Sequence, residues 1–343
     1  MTADRIRTLA RAAGFELAGV AAALPAADAA RYHAWAGAGW AGAMGYLTDH
    51  RADVRDDPRR LLDSARSIVV VGKLYQTPHP HTAQFSAEGR GWISRYAWGD
   101  DYHDHMRAAL ARLAAAIEAE AGPFEHRICV DTAPLLERSY ARLAGLGWIG
   151  RNTCLINQQM GSWFFLGELL TSLEIAPDAP PLDRCGTCTR CIDACPTAAL
   201  IPGRGLDATR CISYFTIELR GPVPEEHRAG IGAHVFGCDI CQDVCPWNRR
   251  APVTDDPAFA PRHFAPELER MAAIGEDEFR AMFRGSPVSR ARYRGFLRNV
   301  AIAMGNARDP RYRPVLARLA GHPDAAVAEH ARWALANVYG PLA

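Results

Sequence analysis

Apolar residues recur in three distinct rhythms along the chain. The opening run, Met1 to Val20, places them at the spacing of an amphipathic helix rather than in the unbroken block of a signal peptide. Short continuous apolar runs follow at Ser67-Ile-Val-Val-Val71, Arg127-Ile-Cys-Val130 and Trp163-Phe-Phe-Leu166, which predict strands set among helices over roughly residues 1–175. Helical spacing returns near the end, in Phe296-Leu297 through Met304, Val315-Leu316 through Leu319, and Val327 through Trp333, Leu335 and Val338. Breaks at Gly305 to Pro310 and Gly321 to Pro323 separate these segments, as in a pair of HEAT-like repeats.

Two Pro-rich stretches, Ala176-Pro-Asp-Ala-Pro-Pro181 and Ala251 to Pro261, divide the 343 residues into three expected units: an α/β domain over 1–175, a Cys-rich unit over 176–255 and an all-α domain over 256–343. The predicted class is therefore α+β, multidomain. A composition of 49% hydrophobic and 22% charged residues is that of a globular protein, and no stretch is long and apolar enough for a membrane span. A cytoplasmic location is the expectation. The net charge of +1 conceals an imbalance, because Arg284 to Arg318 holds nine arginines and a single acid, Asp309. Such a surface suits an anionic partner.

The ten cysteines change the picture most. Cys185-x2-Cys188-x2-Cys191-x3-Cys195-Pro196 is the bacterial ferredoxin pattern, in which closely spaced thiolates wrap a cubane. Cys238-x2-Cys241-x3-Cys245-Pro246 supplies the last three ligands of the same pattern, with Val235 where the first cysteine would stand, and Cys211 is the natural replacement. The fourth cysteine of each run ligates the other cluster in two-cluster ferredoxins. One 4Fe-4S cluster is then expected on Cys185, Cys188, Cys191 and Cys245, and the other on Cys195, Cys211, Cys238 and Cys241. Two four-cysteine zinc sites would use the same number of thiolates but seldom show this spacing. A radical-SAM site is disfavoured, since neither C-x3-C pair is followed by a cysteine three residues on. Cys129, beside Ile128 and Val130, reads as a small buried hydrophobe.

Other patterns are weaker. Gly145-Leu-Gly147-Trp-Ile-Gly150 fits a dinucleotide fingerprint but follows a helical segment rather than a strand. Asp101-Tyr-His103 begins like a D-x-H-x-x-G cobalt-histidine motif, but Met106 replaces the glycine. Asp131 ends an apolar run where a strand would deliver a carboxylate to a sheet rim, although most aspartates there cap a turn.

Taken together, Ser94-Arg-Tyr-Ala-Trp-Gly-Asp-Asp-Tyr-His103, Val130-Asp-Thr-Ala-Pro134 with Glu137-Arg138, Leu146 to Cys154, Cys211-Ile-Ser-Tyr214, Gly237 to Asn248 and Arg298 to Asn306 resemble the epoxyqueuosine reductase family over nearly the whole chain. The resemblance implies a cobalamin-dependent iron-sulfur enzyme that reduces epoxyqueuosine to queuosine at the tRNA wobble position. It also implies a cobalamin-binding N-terminal domain, a ferredoxin-like domain and a HEAT-like domain holding the anticodon stem-loop, for which the Arg-rich 284–318 segment is the expected surface. On the same basis Asp131 is the proton donor, assisted by Tyr102 and His103, and Arg55, Ser94, Cys154, Ser213 and Thr216 surround cobalamin. Desolvation near the corrin is expected to raise the Asp131 pKa. A flavodoxin or ferredoxin as electron donor, and a monomeric state, complete the expectation. The alternatives are a dehalogenase-like corrinoid reductase of a small molecule and a non-catalytic electron carrier.

Overall fold

The computed structural model describes residues 1–85, 88–203 and 205–339. The N-terminal helix, α1 (Ala3–Ala12), is capped by Thr2, whose hydroxyl accepts the Arg5 N–H at 3.3 Å. It is shorter than its periodicity predicts. Gly14, at φ +102°, turns the chain, and the remaining apolar residues enter strand β1 (Leu17–Ala22).

β1 pairs antiparallel with β2 (Ser67–Leu74). β2 is buried at every position, and so shows an apolar run rather than alternation. Strand β3 (Trp92–Ile93) and helix α2 (Tyr102–Ala121) follow, then β4 (His126–Cys129), helix α3 (Glu137–Leu143) and β5 (Phe164–Thr171). The principal sheet has the order β1-β2-β5-β4 and is antiparallel throughout. Helices α1 and α2 cover one face, where Ile6, Leu9, Met106 and Leu110 pack on Val69 and Val71. Tyr140 and Ala141 of α3 cover the other, on Ile68, Val70 and Leu170. Burying each such aliphatic side chain contributes about 1.5–3 kcal/mol.

The Cys-rich segment contains little regular structure beyond single helical turns at Arg190–Asp193 and Ile240–Asp243 and a π-helical turn at Tyr214–Glu218. It is stitched to the N-terminal half by β6 (His234–Phe236), which runs parallel to β3. The C-terminal helices α4 (Arg292–Ala307), α5 (Arg313–Ala320) and α6 (Ala325–Tyr339) take up the third apolar rhythm. Their core admits Trp92, Trp98, Val235 and Phe236 from the preceding segments. Arg298 of α4 corrects the reading of the arginine stretch as a solvent-facing surface at that position. It is 1% exposed, and its guanidinium donates to the carbonyls of Phe215, Leu219 and Gly221. Asn299 donates to the Thr216 and Val235 carbonyls at 2.9 Å each. These two side chains bolt the π-helical turn to the helical unit.

Candidate active site and iron-sulfur centres

The eight motif cysteines gather in two groups. Cys185, Cys188, Cys191 and Cys245 line one cavity of about 400 Å³ together with Arg184 and Trp247. The Trp148 indole N–H donates to Cys185 Sγ at 3.4 Å. Cys195, Cys211, Cys238 and Cys241 form the second group, in which burial, then the neighbouring thiols, push Cys238 well above its ordinary pKa. All ten cysteines are free of disulfides.

Asp131 follows the end of β4 in a left-handed conformation, φ +53°. Its Oδ2 lies 3.1 Å from His103 Nε2. His103 is in the first turn of α2, and Asp101, the N-cap of that helix, accepts both the His103 backbone N–H at 3.1 Å and its ring Nδ1 at 2.6 Å. A single capping carboxylate thus starts the helix and orients the imidazole. Tyr102 stacks on Phe165 with ring centroids 4.2 Å apart and planes 4° from parallel, and on His103 at 4.2 Å. Sequence order hides this arrangement, but the structure brings Asp131, Tyr102 and His103 together.

The charges fall differently from expectation. Burial opposes ionisation of Asp131, but the hydrogen bond and charge of His103, with help from Arg290 and Tyr102, outweigh it and hold the carboxyl below its usual pKa. Its side chain is 48% exposed, which limits the desolvation that was expected to raise it. Burial likewise disfavours the His103 imidazolium, and Asp101 and Asp131 overcome that, raising it to about 9. At neutral pH the pair is an imidazolium facing a carboxylate, and the transferable proton resides on histidine.

The remaining expected residues divide. Cys154 is partly buried, with its thiol against Cys241 of the second group. Ser213 is also partly exposed and lies beside Cys211. Arg55, Ser94 and Thr216 are buried and committed to protein partners: Arg55 to the Arg51 carbonyl at 2.9 Å, Ser94 to Asp239, and Thr216 to the Ile212 carbonyl and the Gly237 N–H. The segment from Cys211 to Glu218 nonetheless joins the two centres. Glu218, at its far end, pairs with Arg290, whose guanidinium lies over the Tyr46 ring and acts on the Asp131 carboxylate. π-helical turns of this kind are frequent at functional sites.

Residues 55–132 match the family model described as Epoxyqueuosine reductase QueG, DUF1730, and residues 184–248 match that of the 4Fe-4S double cluster binding domain. The Xanthomonas campestris epoxyqueuosine reductase is 46% identical over 98% of this chain and 96% of its own. The chain belongs to the epoxyqueuosine reductase family. Among solved structures, an epoxyqueuosine reductase with an epoxyqueuosine-modified tRNA-Tyr stem loop superposes with a TM-score of 0.90 at 30% identity, covering 98% of this chain and 89% of that one. The Bacillus subtilis epoxyqueuosine reductase, captured with its catalytic aspartate loop swung out of the active site, gives 0.87 at 29% identity over 98% and 90% of the two chains. Epoxyqueuosine reductases are cobalamin-dependent.

Sequence reasoning missed Asp101, Arg290, Glu218 and Tyr46 as neighbours of the acid. It also missed Glu168, although a lone acid inside Trp163 to Leu170 was a legible signal. It is 0% exposed.

Proposed function

We propose that the chain reduces epoxyqueuosine to queuosine in the anticodon loop of tRNA, with the His103–Asp131 ion pair as its proton source. The observation that carries this assignment of the acid is the placement of an imidazolium and an exposed carboxylate beside Tyr102, next to the segment that leads to the second cluster. Removing an epoxide oxygen as water consumes two electrons and two protons and leaves an alkene. Cobalamin, when bound, supplies a strongly reducing metal at which electrons from the clusters can be spent on the epoxide carbon.

The protein supplies the rest. Asp131 faces the substrate side and delivers the proton to the departing oxygen, drawing it from His103 Nε2, and Asp101 holds the imidazole in orientation as it loses and regains that proton. Proton donation of this kind contributes about a hundred to ten thousandfold in rate. Cys154, whose thiol lies against Cys241, and Ser213, beside Cys211, would help hold the corrin when it is bound. Cys185, Cys188, Cys191 and Cys245, around the cavity, would hold a cluster suited to accept single electrons from a flavodoxin or ferredoxin, and Cys195, Cys211, Cys238 and Cys241 would hold a second that could carry them onward.

Residues 1–175 bind cobalamin and substrate, 176–255 carry the clusters, and 256–343 grip the anticodon stem-loop. Within 284–318, Arg284, Arg292 and Arg308 are exposed and have no ion pair or side-chain hydrogen bond among the described residues, whereas Arg290, Arg294 and Arg311 pair with Glu218, Asp324 and Asp309. The RNA surface is thus a subset of the basic stretch. No described helix is long and apolar enough to cross a membrane, and we place the enzyme in the cytoplasm as a monomer.

The test is anaerobic reconstitution with iron, sulfide and cobalamin, reduction, and incubation with epoxyqueuosine-containing tRNA. The expected product nucleoside is lighter by one oxygen atom, and Asp131→Asn abolishes the change. An unaltered nucleoside with both clusters and corrin fully loaded would reject the substrate assignment.

A further inference from the structure

Strand β5 is buried throughout its centre, and Glu168 there is 0% exposed, with neither carboxyl oxygen receiving a hydrogen bond from a described donor. It stands opposite Val70 of β2 and Cys129 of β4. Adjacent Gly167 faces Met106 and Leu110 of α2, so the Glu168 side chain projects to the α3 side of the sheet. Its polar neighbour there is Glu137 in the first turn of α3. Glu137 Oε1 in turn accepts the backbone N–H of Asp131 at 2.6 Å. That hydrogen bond anchors a residue in the left-handed region, a conformation disfavoured for any side chain with a Cβ and sustained only where surroundings enforce it.

Two neighbouring carboxyl groups, Glu168 fully buried and Glu137 partly so, disfavour each other's ionisation. We propose that Glu137 and Glu168 share one proton and act as positioning residues for Asp131: neutral Glu168 donates to Glu137, and Glu137 holds the Asp131 N–H so that the Asp131 carboxylate stays aimed at His103. The proposal rests on the assignment of His103 and Asp131 as the proton source. Desolvation and the Asp131 carboxylate push Glu137 up to about 7, against hydrogen bonds from the Asp131 N–H and Glu168 that favour its ionised form, while desolvation and Glu137 push Glu168 well above its ordinary range. The other groups facing the pair are the Asp131 carboxylate, which adds repulsion, the Cys129 thiol beside Glu168, the Tyr102 phenol, and Arg138, which favours an ionised Glu137. The proton therefore stays with Glu168. The next side chain of α3 does the same for the neighbouring turn: Arg138 donates to the carbonyl of Thr153 at 2.6 Å, and Thr153 is also left-handed, φ +63°, immediately before Cys154. Consecutive residues of one helix thus hold two left-handed turns, one at Asp131 and one immediately before Cys154.

Single-turnover reduction of epoxyqueuosine-containing tRNA by the cobalamin- and cluster-loaded enzyme, with tRNA affinity measured in parallel, tests the role. Glu168→Leu keeps the bulk but removes the donor, and is expected to slow turnover about a hundredfold, the scale of a misplaced reacting group, with tRNA affinity and bound corrin unchanged. Glu168→Gln restores an uncharged N–H donor and recovers most of that loss. A wild-type rate for Glu168→Leu, or a Glu168→Gln as slow as the leucine variant, overturns the proposal. If the leucine variant does not fold, Glu137→Leu serves, since it leaves Glu168 without partner and Asp131 without anchor; a wild-type rate there also overturns it. The parent assignment fails separately, by an Asp131→Asn enzyme of undiminished rate.

Discussion

Replacing Asp101 by asparagine isolates the proton source from everything else at the site. An asparagine keeps an oxygen to cap α2 and to accept from the His103 ring, so the helix start and imidazole orientation survive, and only a charge is removed. His103 is raised from 6.5 to about 9 against its own burial by two carboxylates. That net rise is worth about 3 kcal/mol at 1.36 kcal/mol per pH unit. The share belonging to Asp101 is the larger one, because its ring contact is 2.6 Å against 3.1 Å for Asp131, and its side chain is 32% exposed against 48%. Solvent screens the more exposed partner more strongly.

Losing Asp101's charge is then expected to lower the His103 pKa by about one to one and a half pH units. The sign follows from which form works: His103 must carry a proton, so activity is full well below its pKa and lost as pH rises through it. The wild-type single-turnover rate falls off near pH 9, and the Asp101→Asn rate near pH 8. At pH 8.5 the variant is about threefold slower, and at pH 6.5 the two enzymes are nearly equal, by simple titration with that displacement. The assay is conversion of epoxyqueuosine in tRNA by pre-reduced enzyme, quenched over time across pH 6 to 10 and read by nucleoside mass. An alkaline limb that does not move in the variant refutes the assignment of the proton to His103.

Arg298 and Arg292 separate structure from RNA binding within one helix. Arg298→Leu strands the Phe215, Leu219 and Gly221 carbonyls in the interior, and is expected to cost about 2–4 kcal/mol of stability by denaturant melting, with iron lost as the Cys211 segment loosens, and no change in the salt dependence of tRNA binding. Arg292→Ala is expected to leave stability unchanged and to lower the slope of log affinity against log salt by about one, the signature of one lost phosphate contact. A stability loss in Arg292→Ala, or an unchanged slope, removes that residue from the RNA surface.

The parts of this protein that were legible in sequence are those set by local geometry. Thiolate spacing around a cubane constrains neighbours two and three positions apart, so two groups of four cysteines could be read from sequence, and the structure gathers the same residues, with Cys211 supplied by a distant segment. Strand β2 was legible because it is buried on both faces, and the C-terminal helices because their apolar spacing is regular. The N-terminal helix was over-extended because Leu17 and Val20 continue its apolar rhythm after Gly14 has already redirected the chain into β1.

Illegible features depend on approach between distant segments. The protonation of Asp131 is decided by His103, 28 residues away in sequence, and by how much water reaches the carboxylate, and neither has a sequence pattern. Arg298 sits in a stretch whose charge count suggests a solvated face, yet it is one of ten consecutive buried residues from Phe296 to Gly305. The same logic gives Glu168 its meaning. Isolated charges inside apolar runs are costly unless something offsets them, so both residues marked places where the fold had to provide partners: three backbone carbonyls for the arginine, a second carboxyl and a shared proton for the glutamate. In each case the buried polar group holds a functional segment, the Cys211 turn or the Asp131 turn, in a conformation its own residues would not keep.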